Sequence, residues 1–216
     1  MKNNNKEGDK NKDLAYLALI GMVGDMLDKK PGKIYDSIIQ DSNIKIRRGL
    51  LMYPATRPIN KVIEFSSEIF IPNVTGSSIG TFNFLRDIGV GRVNGQHKSI
   101  IELNDEETSK LITAISLQRS DGGDTSDLIG SIYLTNFFNK TEDLRQISAI
   151  INACSRFGES GTAIAYCLQD ANSKEKVEKI YAKHKQGIVK ALNSIPGLKK
   201  IEDKNYLIIN AEDKIN

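Results

Sequence analysis

From Ser173 to Ile195 the apolar residues recur at a helical interval. Val177, Ile180, Tyr181, His184, Ile188, Ala191, Leu192 and Ile195 follow the i, i+3, i+4 rule. This predicts one long helix with a single stripe that another layer must cover. Lys174, Lys176, Lys179, Lys183, Lys185 and Lys190 mostly offset Glu175 and Glu178 along its exposed side, and Pro196-Gly197 ends it. The cover has to come from earlier segments. An apolar helix over Asp13 to Asp28 carries Leu14, Leu17, Ala18 and Ile20 to Met22 almost all round, which predicts burial, and Lys29-Lys30-Pro31-Gly32 stops it. A second helix is expected over Lys33 to Gln40. From Thr141-Glu142-Asp143 a third opens, with Leu144, Ile147, Ile151 and Cys154 at core spacing, and Gly158 and Gly161 interrupt it.

Between these helices the pattern changes. Ile44 to Leu50 reads equally as a strand or a short helix. Pro54 and Pro58 bracket a rigid turn, because the residue before each proline is pushed toward extended backbone. Asn60 to Ser66 and Ser78 to Ile88 are expected helices, the second ended by Gly89. Gln96 to Leu103 reads as connector. Asn104, Asp105, Glu106 and Glu107 form a helix start: Asn104 caps the first turn and Glu107 reaches back. Asp121-Gly122-Gly123-Asp124 is a turn, and Leu128 to Thr135 and Tyr206 to Asn210 are strands. The fold class is α/β, mixed and helix-rich.

With 216 residues and 39% hydrophobic content, the chain can build one sizeable core or two small domains sharing an interface. No apolar run approaches the roughly 20 residues that span a bilayer, so no membrane contact is expected. The stretch MKNNNKEGDKNK has no apolar core of a secretory signal; it reads as a solvated, disordered tail, with cytoplasmic residence as the default. Cys154 and Cys167 fit no metal spacing and read as small buried hydrophobes. The net charge of +3 with interspersed signs permits nucleic-acid contact without demanding it, and no aromatic residues alternate with basic ones as a base-stacking platform requires.

Two histidines, His97 in a polar connector and His184 on the long helix, have no Asp or His neighbours at ligand spacing. The loop Asn73 to Ser78 precedes a helix. Thr75 and Ser77 there either cap it or join free N–H groups in holding phosphate, although the spacing is not that of a phosphate-binding loop. Arg47, Arg48, Arg57 and Lys61 gather around the proline turn. They read as a solvated face, or as a contact for DNA phosphate or an acidic partner surface. There is no GxSxG, Cys–His pair or dinucleotide fingerprint, so nucleophilic catalysis and nucleotide cofactors have no support.

RRGLLMYPATRPINKVIEFSSEIFIPNVTGS (Arg47 to Ser77), INACSRFGESGTAIAYCLQD (Ile151 to Asp170), the GDM element at Gly24 to Met26 and YLIINAEDKI near the end occur in an order that resembles archaeal RecJ-like proteins of the DHH phosphoesterase superfamily. The Asp-His-His triplet that names the superfamily is absent from this sequence. The resemblance implies a polar tail (1–12), a remnant of a DHH-type domain (13–50), a linker-like helical segment (51–103) and a mixed α/β inserted-type domain (104–216). It implies a shortened relative without the catalytic motifs on either side. Asp25 is then a remnant metal ligand, or simply a helix terminator; one carboxylate cannot hold two metals. No cofactor is expected for the chain alone, and manganese or magnesium only if a partner chain completes the site. The implied role is a non-catalytic, nucleoid-associated replication component. It would bind the GINS complex and help link it to the MCM helicase, with single-stranded DNA as a further contact. The rival is one half of a split, manganese-dependent, single-strand-specific exonuclease.

Overall fold

The computed structural model describes residues 14–27, 33–42, 44–66, 69–119, 124–194, 197–198, 200–203 and 206–209. The expected polar tail, the Lys29 to Gly32 stop and the turn at Asp121 to Gly123 lie outside them. The elements are helices α1 (Ala15–Gly24) and α2 (Lys33–Asp41), strand β1 (Lys45–Leu50), helices α3 (Ile59–Glu64) and α4 (Ser78–Ile88), and strands β2 (Arg92–Val93) and β3 (Gln96–His97). Helix α5 (Asp105–Gln118), strands β4 (Ile129–Phe137) and β5 (Lys140–Asp143), helices α6 (Leu144–Arg156), α7 (Ser160–Cys167) and α8 (Ala171–Ser194), and strands β6 (Lys200–Asp203) and β7 (Tyr206–Ile209) follow. The class is mixed α/β, as the sequence predicts.

A three-stranded antiparallel sheet, ordered β1-β4-β5, sits between two apolar cores. Alternation along β4 assigns its side chains. Ile132 and Leu134 enter a core built from Leu50, Ile63, Ile71, Leu85, Leu111 and Ile115. Tyr133 and Phe137 enter the other, with Leu19, Val23, Leu144, Ile147, Cys154 and Val177. The long stripe of α8 is thus covered by α6 and α7, which bring Ile147, Ile150 and Tyr166 to Val177.

Residues between β1 and β4 form an excursion from the sheet. Leu50 pairs with Ile129 and Gly49 with Gly130, and the Leu51 N–H donates to the Leu128 carbonyl at 2.8 Å. The chain therefore leaves and re-enters at one cross-strand position. The excursion's core runs from Leu50 to Leu134 and includes Ile63, Leu85 and Leu111, so the expected division at 103/104 falls inside a single packed unit.

Several expectations change. Of the stretch Ile44 to Leu50, Lys45 to Leu50 resolves as a strand at the sheet edge. Thr141 to Asp143 belong to β5, and the helix starts at Leu144. Phe138 and Asn139, at φ 49° and 59°, turn the chain back on β4, and Asp143 becomes the helix cap. Helix α1 is buried on one face only: Leu19, Ile20 and Val23 are covered, whereas Ala18 and Gly21 are exposed. Gln96 to Leu103 is no plain connector, as it supplies β3 and a 3-10 turn at Ile100–Glu102.

Gly24 marks where α1 crosses α6. A methyl group there would lie 2.3 Å from Ser148 Oγ. Because that oxygen ends a rotatable side chain, Gly24→Ala is expected to cost about 1 kcal/mol. Adding Ser148→Ala should recover most of it in a denaturant titration of the double-mutant cycle.

Candidate functional site

The proline turn is docked by two carboxylates. Tyr53–Pro54 is cis, and the chain beyond it runs against the β5–α6 junction. The buried Ala55 N–H donates to Asp143 Oδ2 at 2.9 Å, and the Arg145 N–H donates to Oδ1 at 2.9 Å. Thr56 Oγ1 reaches Glu142 Oε2 at 3.5 Å, and Arg57 Nη2 donates to Glu142 Oε1 at 3.1 Å. Burial pushes the Asp143 carboxyl above the usual range, against the pull of those two N–H groups and of Arg145. Arg57 is therefore committed to an internal carboxylate.

The other expected binding residues are spread over separate contacts. Arg47 donates to the Ile101 carbonyl at 2.6 Å, tying β1 to the 3-10 turn. Arg48 is exposed on β1 opposite Ser131. Lys61 pairs with Glu64 at 2.9 Å and lies 5.5 Å from the Phe65 ring centre. Thr75 Oγ1 accepts from the Ile71 N–H at 3.0 Å, and Ser77 caps α4 by accepting from the Gly80 N–H at 3.0 Å. Both hydroxyls are engaged in local capping.

Asp25 follows α1 and is exposed; its N–H donates to the Gly21 carbonyl at 3.0 Å. Among the described residues no three His, Cys, Asp or Glu side chains converge as metal ligands, and Asp25 alone does not fit a two-metal centre. His184 sits edge-on to Phe157, with ring centres 6.3 Å apart; burial, then Arg156, push its pKa down. It lines a cleft between the excursion and helices α6 and α8, together with Tyr53, Leu128, Asn152 and Tyr181. Cys154 is buried and Cys167 half-buried, both as free thiols, and burial raises both.

His97 belongs to a feature the sequence reading missed. Asn94 and Gly95, at φ 51° and 78°, form the two-residue turn of the β2–β3 hairpin. An Asn-Gly pair is the strongest short-range signal for such a turn and was present in the chain. The hairpin sets Arg92 and His97 opposite one another, with Arg92 Nη2 3.2 Å from His97 Nε2. Partial burial, then the Arg92 charge, push the His97 pKa down, which favours the neutral ring, and Arg92, which can only donate, faces its Nε2. The guanidinium lies 5.1 Å from the Phe82 ring centre. Together they line an open groove with Pro58, Lys61, Ser78 and Gln96.

Glu107 anchors the hairpin to α5. It takes Lys98 Nζ at 2.8 Å and the Gly91 N–H at 3.2 Å on Oε1, and the Asn104 N–H at 3.0 Å on Oε2. Burial raises its pKa, but the bonds from Lys98, Asn104 and Gly91 outweigh that and leave it lowered. A carboxyl whose folded pKa lies below its unfolded one adds stability above the unfolded pKa, and loses it as pH falls through the folded pKa. The stability lead of the native chain over Glu107→Gln should therefore be full at neutral pH. It should shrink below pH about 4, as urea titrations across the acid range will show.

Residues 52–128 match the family model of the DHH-CID domain, a RecJ-like domain of the DHH superfamily. The match begins two residues after β1 and ends at the residue before β4, so it coincides with the excursion. No curated protein matches the chain. No helix among the described residues is long and apolar enough to cross a membrane.

Proposed function

We propose that this chain is a RecJ-like component of the archaeal DNA replication machinery that acts by binding rather than by cutting. In this reading it holds the GINS complex, helps link it to the MCM helicase ring, touches single-stranded DNA as a secondary contact, and works in the nucleoid. The observation that carries the reading is the DHH-CID match, which coincides with the excursion that packs on one face of the sheet. Manganese or magnesium enters only through a partner chain that completes a metal site.

The test is affinity purification of the tagged chain from native extract. GINS subunits in the eluate, and a saturable complex with purified GINS, are the expected results. An absence of affinity for GINS ends the reading. A co-purifying chain with an Asp-His-His triplet, and manganese-dependent cleavage of single strands abolished by Asp25→Ala, replaces it with a split nuclease.

A further inference from the structure

The groove beside the β2–β3 hairpin joins a fixed cation to exposed apolar surface. Phe82 of helix α4 lines it, 44% exposed, and Ile79, 77% exposed, lies one turn before Phe82 on the same helix. Around the groove, Lys61 is matched by Glu64, Lys98 by Glu107 and Arg86 by Asp87, all within 2.9 Å. Arg92 differs. Among the described residues its contacts are the His97 ring and the Phe82 face, neither of which neutralises it. Both contacts fix its direction: the imidazole accepts from Nη2, and the ring supports the guanidinium plane. The guanidinium's other N–H groups remain as donors to a carboxylate. The Asn94-Gly95 turn closes the hairpin that sets Arg92 and His97 side by side.

We propose that this groove docks an acidic, apolar segment of a protein partner. A carboxylate of the segment would meet Arg92, and a neighbouring aliphatic or aromatic side chain would cover Phe82 and reach Ile79. His97 is a positioning residue that keeps Arg92 aimed at the groove. Charge complementarity decides the occupant: an uncompensated guanidinium beside apolar surface selects a segment that carries both carboxylate and apolar groups. A nucleic acid would meet the same cation but gain little from the exposed aliphatic Ile79. The inference shares with the proposed function the premise that this chain works through a protein partner.

Fluorescence anisotropy of the full chain tests it, using a labelled peptide of alternating glutamate and leucine, its lysine-leucine counterpart and labelled oligo-dT. The acidic peptide should bind saturably and the basic one should not. Arg92→Glu should weaken the acidic peptide by about tenfold or more, a loss of about 1.4 kcal/mol per tenfold. Phe82→Ala should weaken it less, and Lys110→Glu, on the exposed face of α5, should leave it unchanged. His97→Ala should weaken binding and His97→Gln, which keeps an acceptor, should restore part of it. Matching thermal melts would show that each variant is folded. Equal binding of both peptides, no effect of Arg92→Glu, or an Arg92 requirement seen only with oligo-dT would overturn the proposal. Arg92-dependent peptide binding by a chain that captures no GINS would leave the groove standing and remove the replisome assignment.

Discussion

Replacing Gly80 with alanine is expected to destabilise the protein by about 3 kcal/mol, although helix propensity alone predicts a gain of about 1 kcal/mol. Gly80 lies in the first turn of α4, where the loop from Asn73 folds back over the helix. A methyl group there would sit 1.9 Å from the Asn73 carbonyl oxygen and 2.9 Å from its carbon. The obstacle is backbone, so no rotamer change relieves it. The same loop is fastened by Thr81 Oγ1 donating to the Val74 carbonyl at 3.0 Å and by Ser77 accepting from Gly80. Moving Asn73 therefore loosens Val74, which is buried in the excursion's core. Chemical denaturation of Gly80→Ala against the native chain measures the loss. An unchanged or higher midpoint would mean the loop yields freely, and that the fit described above is not a constraint.

The second large effect is at Asp143. Asp143→Ala removes the acceptor of two backbone N–H groups, one on the fully buried Ala55, and the cap of α6. Unmet buried donors cost about 1–3 kcal/mol each and a lost cap about 1 kcal/mol. Removing a buried carboxyl returns part of its desolvation cost, so a net loss of about 3 kcal/mol is expected. Asp143→Asn should recover little. Its single oxygen can satisfy only one of the donors, and its NH2 group would face the other. Hydrogen exchange provides the second readout, with faster exchange at Ala55 and along the first turn of α6 than elsewhere. Faster exchange spread evenly over the chain would show that Asp143 does not link these two places.

Much of the helical layer was legible because its cues are local. Asn104 and Glu107 predict a capping box, and both of its bonds form, at 2.8 and 3.0 Å. Gly89 ends α4 at φ 76°, as its position suggested. The stripe on α8 likewise names its buried Val177. What was not legible depends on residues distant in sequence. Lys45 to Leu50 becomes a strand because β4 pairs with it from 79 to 89 positions later. Arg57 looks available for phosphate until Glu142, 85 positions away, comes to rest against it. The hairpin at Asn94-Gly95 is a different kind of miss, because its cue was local but its strands are two residues each, too short for alternation to show.

The crossing at Gly49 and Gly130 makes the segment between them detachable in topology. A short turn joining Leu50 to Ile129 could close the two strands into an ordinary hairpin with their register intact. Such a deletion would not leave a smaller stable protein, however. Leu50, Ile132 and Leu134 would lose their cover and face water along one side of the sheet. The segment is thus a graft that can be lifted out by a single splice but doubles as the lid of its own stump. Any host that received it would need a similar bare apolar sheet to seat it.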